Sequence, residues 1–466
     1  MTLSRRTFLF SAAAAGFDLC RAGAVPKGEP ALKFGVLSDS HVTDAPETAE
    51  CLRRIFGYFS RQGVDAVLHA GDICHLGNTD EFKLVVDAWR GAFPGGRNAA
   101  GGPVVPFFVF GNHDYHKASF QRGKAPDDAE KAKMILNNRD AVWRDLTGEP
   151  FPGEVFAKEI KGRLFVGAHW GHEGEIADWF KANPVDPSKP IFHIRHPHPL
   201  GTCFGTWASG VENGKEELMR HPNVFAMSGH SHINVGLDLG IWQGGFVSMG
   251  CGSARLVGPG TFGGAPDNTS KRQWMEGEFR HSPNVAGGGA WQGSVVSVYD
   301  DVVVVDRRDF RFNETDGEPI GEPWRVDFPF RHAPDAPYQV AAAGRAPQFA
   351  AGAKLRFSRV QGKRRPDNAK EDQLVVAVPT ALSDGPYSRP VFYRVEVFAK
   401  ADGRKVIERE IIQDGMSNSE SRTSSRATRC SFAVSELPAS APLRFSVTPM
   451  NAARRAGRSL EGEFSI

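Results

Sequence analysis

From residue 32 onward, short apolar runs alternate with longer stretches in which apolar residues recur every three or four positions. The runs are KFGVLS (33–38), DAVLHA (65–70), VVPFFVF (104–110), RLFVGAH (163–169), KPIFHIR (189–195) and NVFAMS (223–228). Runs this short and continuous suit strands buried on both faces. Between them, TAECLRRIFGYFSRQ (48–62), EFKLVVDAWRGAF (81–93), DDAEKAKMILNNRDAVWRDL (127–146) and EIADWFKAN (175–183) have the spacing of amphipathic helices. Strands alternating with helices predict a layered α/β unit.

The texture then changes. Residues 244–289 are glycine-rich and read as long loops. GSVVSVYDDVVVVDRRDF (293–310) predicts a β-hairpin turning at Asp300–Asp301 and finishing the first unit's sheet. PFRHAPDAPYQVAAAGRAP (329–347) reads as a linker. Beyond it AKLRFSRV, QLVVAVP, VFYRVEVFAKADGRKVIEREI, RCSFAVSEL and LRFSVTPMNAARRAGRSLEGEFSI read as short strands, with Ala401-Asp402-Gly403 as a hairpin turn. They predict a smaller all-β sandwich. SNSESRTSSRATR (417–429) reads as a polar loop, and no internal repeat is found. The expected divisions are 1–24, 25–330 for the α/β unit and 331–466 for the sandwich.

Residues 1–24 read as a removable leader. SRRTFLFSAAAAGF pairs Arg5 and Arg6 with an apolar segment too short and alanine-rich to span a membrane. Ala22-Gly23-Ala24 fits a small-residue cleavage site. The paired arginines ahead of Thr-Phe-Leu read as a twin-arginine export signal, and Arg21 disfavours the ordinary secretory route. The expected location is periplasmic or extracellular, with no transmembrane segment once the leader is gone. Export in the folded state, often with a cofactor already loaded, directs attention to metal ligands.

A chain of 466 residues exceeds one ordinary domain, and 41% apolar with 24% charged residues marks a globular protein. Removing Arg5, Arg6, Arg21 and Asp18 takes away a net +2, so the formal +2 falls to zero. No basic field remains to hold nucleic acid or an anionic membrane. Of six cysteines, Cys20 leaves with the leader. The five left are scattered and support no disulfide framework, and Cys74 and Cys251 read as small buried hydrophobes.

The chemistry lies just after the apolar runs. The first ends in Asp39-Ser40-His41, the second in Gly71-Asp72, and the third in Gly111-Asn112-His113-Asp114. The fifth ends in His196-Pro197-His198-Pro199 and the sixth in Gly229-His230-Ser231-His232. Ligands collect at the carboxyl ends of strands in open α/β sheets. Residues i and i+2 leaving a strand point the same way, so Asp39 with His41, and His230 with His232, can each reach one ion. Two carboxylates, four imidazoles and an amide are too many for one tetrahedral ion. They suit two divalent ions about 3.5–4 Å apart. Oxygen and nitrogen ligands without thiolate favour Mn, Fe, Zn or Ni without choosing among them.

These blocks (D-x-H, G-D, G-N-H-D, a histidine after the next strand, G-H-x-H) resemble those of the calcineurin-like metallophosphoesterases, in order over roughly residues 33–232. The resemblance implies a four-layer α/β/β/α sandwich and hydrolysis of a small-molecule phosphoester by a hydroxide bridging two metals. It implies one metal on Asp39, His41, Asp72 and His232, and a second on Asp72, Asn112, His196 and His230, with Asp72 bridging. It gives His113 a phosphate contact or the protonation of the leaving group. His196 is taken as the ligand because the family's histidine precedes an x-x-Pro or x-His-Pro ending; the segment also holds His193 and His198. Purple acid phosphatases carry Tyr three residues after the bridging Asp. Here His75 stands there, which argues against a purple iron centre. GDICHLG resembles the form seen in cyclic-nucleotide and related phosphodiesterases.

His69 reads as a structural hydrogen-bonder, and so does His193. His75, His116 and His198 are possible substrate contacts. Gly71, Gly111 and Gly229 read as glycines that let backbone approach the metals, and Asp114 as a residue that orients its neighbours. Tyr115, Phe204 and Trp207 are aromatic residues that could stack on a base, in loops (115–126, 197–215 and 251–290) expected to set specificity. The C-terminal part resembles fibronectin type III sandwiches through YRVEV and RFSVTPMNAARRAG. It has no catalytic cluster and reads as a packing or substrate-access module. The expected activity is phosphodiester hydrolysis. The alternatives are a phosphomonoesterase acting on nucleotides or sugar phosphates, and a non-catalytic cell-surface binding protein on the same fold.

Overall fold

The first three apolar runs become the parallel neighbours β1 (Leu32–Leu37), β2 (Ala66–Ala70) and β3 (Val105–Val109). They are seen in a computed structural model that describes residues 28–115, 126–204, 210–255, 291–311, 313–363, 370–383, 385–413, 427–438 and 442–465. The leader, His116 and Trp207 lie outside the described residues, as does most of the 251–290 loop. A second sheet holds β4 (Val155–Ile160), β5 (Arg163–Ala168), β6 (Ile191–Arg195), β7 (Val224–Ser228), β8 (Ile241–Trp242) and β9 (Val247–Gly250), ordered β4-β5-β6-β7-β9-β8. The expected hairpin forms as β10 (Gln292–Val298) and β11 (Val302–Asp309). With β12 (Glu318–Pro319) and β13 (Trp324–Asp327), it completes the first sheet beside β1.

The sheets face each other through aromatic side chains. The Phe34 ring centroid lies 5.4 Å from Phe165 and 5.0 Å from Phe192, in edge contacts that fill the interior. Helices α1 (Glu50–Arg61) and α2 (Thr79–Ala92) cover the outside of the first sheet with Leu52, Ile55, Phe56, Phe82, Val85 and Trp89. Asn78 starts α2 by accepting a hydrogen bond from the Glu81 N–H at 3.0 Å. The four layers expected from the resemblance are present. On the other side Val166, Ala168, Val224 and Ala226 pack against Ile176 and Phe180 of α5 (Ile176–Ala182) and Leu218 of α6 (Lys215–Arg220).

The segment 127–146, expected as one helix, is two. Helix α3 (Asp128–Lys133) begins with an Asp127/Glu130 capping box and stops at Met134, whose backbone is extended. Met134 bridges to Asn78, and the Ile135 N–H donates to Gly77 O at 2.9 Å. These bonds to the loop after β2 break the helix, and α4 (Arg139–Thr147) resumes it. The glycine-rich stretch from 244 is not all loop, because β9 lies inside it. Four fully buried residues ending in Gly250 give too short a signal. Nor is 329–347 a free linker: helix α7 (Gln339–Ala342) buries Val340 and Ala341, and the Tyr338 hydroxyl donates to Thr202 O at 2.8 Å.

After it come seven antiparallel strands: β14 (Arg356–Lys363), β15 (Lys370–Val378), β16 (Phe392–Ala399), β17 (Lys405–Ile412), β18 (Thr428–Ala433), β19 (Leu443–Met450) and β20 (Leu460–Phe464). They form sheets of order β14-β15-β18 and β17-β16-β19-β20 around Leu374, Val376, Tyr393, Val395, Phe432 and Phe445. The β16–β17 turn falls at Ala401-Asp402-Gly403, as expected, with Gly403 at φ +70. This sandwich packs Val391, Phe392 and Met450 against Ile233, Leu237 and Leu239, the segment that follows His232. The Arg389 guanidinium also donates to Gly236 O at 3.1 Å.

His169 and His193 are buried with their rings among core residues. Burial, aided by His172 and Arg139 for His169 and by Arg195 for His193, lowers both from 6.5 to about 3. The unfolded chain takes up these two protons near pH 6.5, and the folded chain refuses them. Their contribution to stability is therefore complete above 6.5 and is lost as pH falls toward 3. Thermal melts from about pH 7 down to about pH 4 are expected to show Tm falling steadily across that window. A flat Tm would contradict this.

Candidate metal centre

The β1, β2, β3, β6 and β7 ends converge at one edge of the two sheets. The loop after β1 is zipped to the loop after β2. The Asp39 N–H donates to Gly71 O and the His41 N–H to Asp72 O, both at 3.0 Å. The loop after β7 joins them: the His230 N–H donates to both Asp39 carboxylate oxygens, at 3.0 and 3.2 Å. Asp39, His41, Asp72, His230 and His232 all have positive φ, between 42 and 66. Non-glycine residues enter this region rarely and at a cost, and such strain collects where side chains must be aimed.

Three groups of donor atoms result among the described residues: His41 with His75 and His113, and two that share Asp72. Of these two, the first is Asp39, His41, Asp72 and His232 and the second is Asp72, His196 and His230, the atoms of each within 4.8 Å of one another. The His196 Nε2 also lies 3.1 Å from Asn112 Oδ1, which adds the amide to the second group. In the first group His232 Nε2 is 3.1 Å from Asp39 Oδ1 and 3.1 Å from His41 Nε2. In the second, His230 Nδ1 is 3.2 Å from His196 Nε2. Donors sharing one ion at bond lengths of about 2.0–2.1 Å stand roughly 3.0–3.4 Å apart, so these edges fit. Asp72 belongs to both groups. Its Oδ1 accepts from the His113 N–H at 2.8 Å, while Oδ2 lies 3.1 Å from His196 Nε2 and 3.7 Å from His41 Nε2. The set suits a divalent metal centre.

Supporting contacts fix the ligand-type side chains. His196 Nδ1 donates to Ala70 O at 2.7 Å, which leaves Nε2 for the site. Asp114 accepts from the Gly111, Cys74 and Ile73 N–H groups at 2.7, 2.9 and 3.2 Å, the orienting role expected of it. Burial and the Asp72 charge push Asp114 up to about 7. Burial also works against Asp39, but His232 and His196 outweigh it and bring the carboxyl down to about 2. Asp72 is likewise held well below the usual range, chiefly by His196 against burial. Burial lowers His196, yet Asp72 lifts it to about 9. Burial and then His196 drop His230 to about 4.

Of the possible substrate contacts, His75 and His113 stand together beside His41, their rings stacked at 5.4 Å. His113 Nδ1 is 2.9 Å from His75 O. His198 is fully buried, and among the described residues neither ring nitrogen has a hydrogen-bond partner. It joins none of the donor groups. His69 is structural, with Nε2 2.9 Å from Ser40 Oγ, and His193 Nδ1 donates to Val166 O at 3.0 Å. Tyr115 and Phe204 are core residues, 5% and 1% exposed, and face no substrate. In both, burial of the ring overrides the loop position that suggested stacking.

Two residues beside the site escape a search for ligand types. Trp170 lies with its ring centroid 5.2 Å from His230 and 5.8 Å from His196. Arg255 donates to His41 O. Trp170 does follow an apolar run, as the ligand residues do, so position was the available signal.

Residues 32–234 match the family model described as calcineurin-like phosphoesterase, and this stretch forms a calcineurin-like phosphoesterase domain. All the motifs above lie within it. A predicted phosphoesterase from Streptococcus pneumoniae is similar at 14% identity, covering 64% of this chain and 97% of its own, with a TM-score of 0.25. A novel archaeal phosphodiesterase aligns at 14% identity over 48% of this chain and 85% of its own, TM-score 0.24. Zinc-complexed Vps29 from Entamoeba histolytica aligns at 12% identity over 64% and 99%, TM-score 0.27. At such scores these likenesses carry no weight beside the family match and the site. No curated protein matches the chain.

A Cβ on Gly111 would overlap both Asp72 Oδ1 and the Asp72 backbone nitrogen and sit 2.9 Å from the His196 ring. Gly111→Ala is therefore expected to lower affinity for divalent metal by about 10–100-fold, as loss of supporting contacts does, while circular dichroism stays native. Metal titration followed by calorimetry checks it, and unchanged affinity would contradict it.

Proposed function

We propose that the chain is a phosphoester hydrolase working through two divalent ions, with phosphodiesters as its preferred substrates. The observation that carries this reading is Asp72 Oδ2 between the two donor groups, 3.1 Å from His196 Nε2 on one side and 3.7 Å from His41 Nε2 on the other. When bound, such a pair of ions supplies Lewis-acid charge to phosphoryl oxygens and lowers the pKa of a water between them. In this reading Asp39, His41, Asp72 and His232 hold one ion, and Asp72, Asn112, His196 and His230 the other. His113 meets the substrate where charge develops on the leaving oxygen, and His75 lines the same side. The diester preference is supported by the GDICHLG form around Asp72. The C-terminal sandwich, three strands against four, is read as a fibronectin type III-like module that braces the segment after His232. Residues 1–24 are read as a twin-arginine leader that places the mature protein outside the cytoplasm.

The test is hydrolysis of para-nitrophenyl phosphate and bis-para-nitrophenyl phosphate by the chain from Val25, with added Mn. The diester is expected to turn over faster, and Asp72→Ala to lose at least about 1,000-fold in kcat/KM. A faster monoester would replace the diester reading. No hydrolysis of either, with metal bound, would favour a binding role for the fold.

A further inference from the structure

The mouth of the site has aromatic walls on two sides. His75 and His113 stand beside the Asp39–His41–Asp72–His232 group, with the His113 ring 4.6 Å from His41. Trp170 stands beside the Asp72–His196–His230 group. It is held at the end of β5 by its N–H, which donates to Phe110 O at 3.0 Å, and Gly171 (φ +86) turns the chain away beyond it. Trp170 packs against the core and is half-buried as a residue. An indole supplies no metal ligand and a single donor, so beside a polar centre its use is its flat face.

A phosphodiester placed on this centre carries two ester arms. With the leaving arm toward His113, as in the reading above, one direction open to the retained arm is along the His196–His230 side, where Trp170 stands. We propose that Trp170 is a stacking platform, and that the substrate is a phosphodiester bearing a planar ring, such as a nucleobase, on its retained arm. The proposal rests on the phosphodiesterase reading above. Stacking a base on an aromatic side chain is sequence-tolerant because every base has a flat face. The interaction lies away from the reacting phosphorus, so it is made equally in ground and transition states and shows in KM.

The experiment compares wild type, Trp170→Ala and Trp170→Phe, all with Mn, on two diesters sharing a nitrophenolate leaving group. One is the para-nitrophenyl ester of thymidine monophosphate; the other is methyl para-nitrophenyl phosphate. Trp170→Ala is expected to raise KM for the thymidine ester about tenfold more than for the methyl ester, with the two kcat values changed alike. Trp170→Phe should keep part of the binding. Equal loss on both esters, loss of bound Mn, or no change on either would overturn the proposal and leave Trp170 as packing for the ligand rings. Wild type cleaving neither diester is a separate result: it removes the phosphodiesterase reading, and the stacking role with it.

Discussion

Everything at this site depends on a backbone bent into the left-handed region at five ligand-type residues. Asp39, His41, Asp72, His230 and His232 leave their strands with positive φ, and that turn aims carboxylates and imidazoles inward along the sheet edge. Each such residue costs of order 1–3 kcal/mol and persists only where the surroundings over-determine it. Here they do, through the backbone bonds that tie three loops together and through close approach. A Cβ on Gly229 would overlap Ser38 Oγ, so the loop carrying His230 can lie against the loop carrying Asp39 only with glycine there. The two facing sheets supply the rigid frame, and the sandwich adds a second support behind His232.

The same crowding sets the electrostatics. Two carboxylates share a largely buried site with four imidazoles, and burial alone would neutralise all of them. Asp72 and His196 instead stabilise each other's charged forms, and Asp39 is held ionised by His232 and His196. His41 and His230 go the other way and are kept neutral, chiefly by burial. Asp114 sits behind them as an acceptor for three backbone N–H groups and joins the loops after β2 and β3.

Most of this arrangement was legible in the sequence because it obeys a simple rule. Strands buried on both faces read as continuous apolar runs, and the polar residues just past them fall at one edge of the sheets. That rule marks Asp39, His41, Asp72, Asn112, His230 and His232 and the segment holding His196 and His198, between which the family resemblance chose His196; in the structure His196 Nε2 lies 3.1 Å from Asp72 Oδ2. What could not be read depends on tertiary contact. The 127–146 segment has an unbroken helical pattern, but bonds from Met134 and Ile135 to the loop after β2 divide it. Strand β9 is four residues, the last of them Gly250, too short for periodicity to mark. Tyr115 and Phe204 occupy loop positions, and only packing shows that they point inward. Trp170 was passed over because an indole is not a ligand type, although its place at a strand end is the same as theirs.

The most direct test of the central claim, that Asp72 stands between two ions, is a crystal structure of the mature chain grown with Mn and measured at the Mn absorption edge. Two anomalous peaks are expected about 3.5–4 Å apart, one on each side of Asp72 Oδ2. One would lie among Asp39, His41 and His232, the other among Asn112, His196 and His230. A single peak, or peaks away from Asp72, would contradict it.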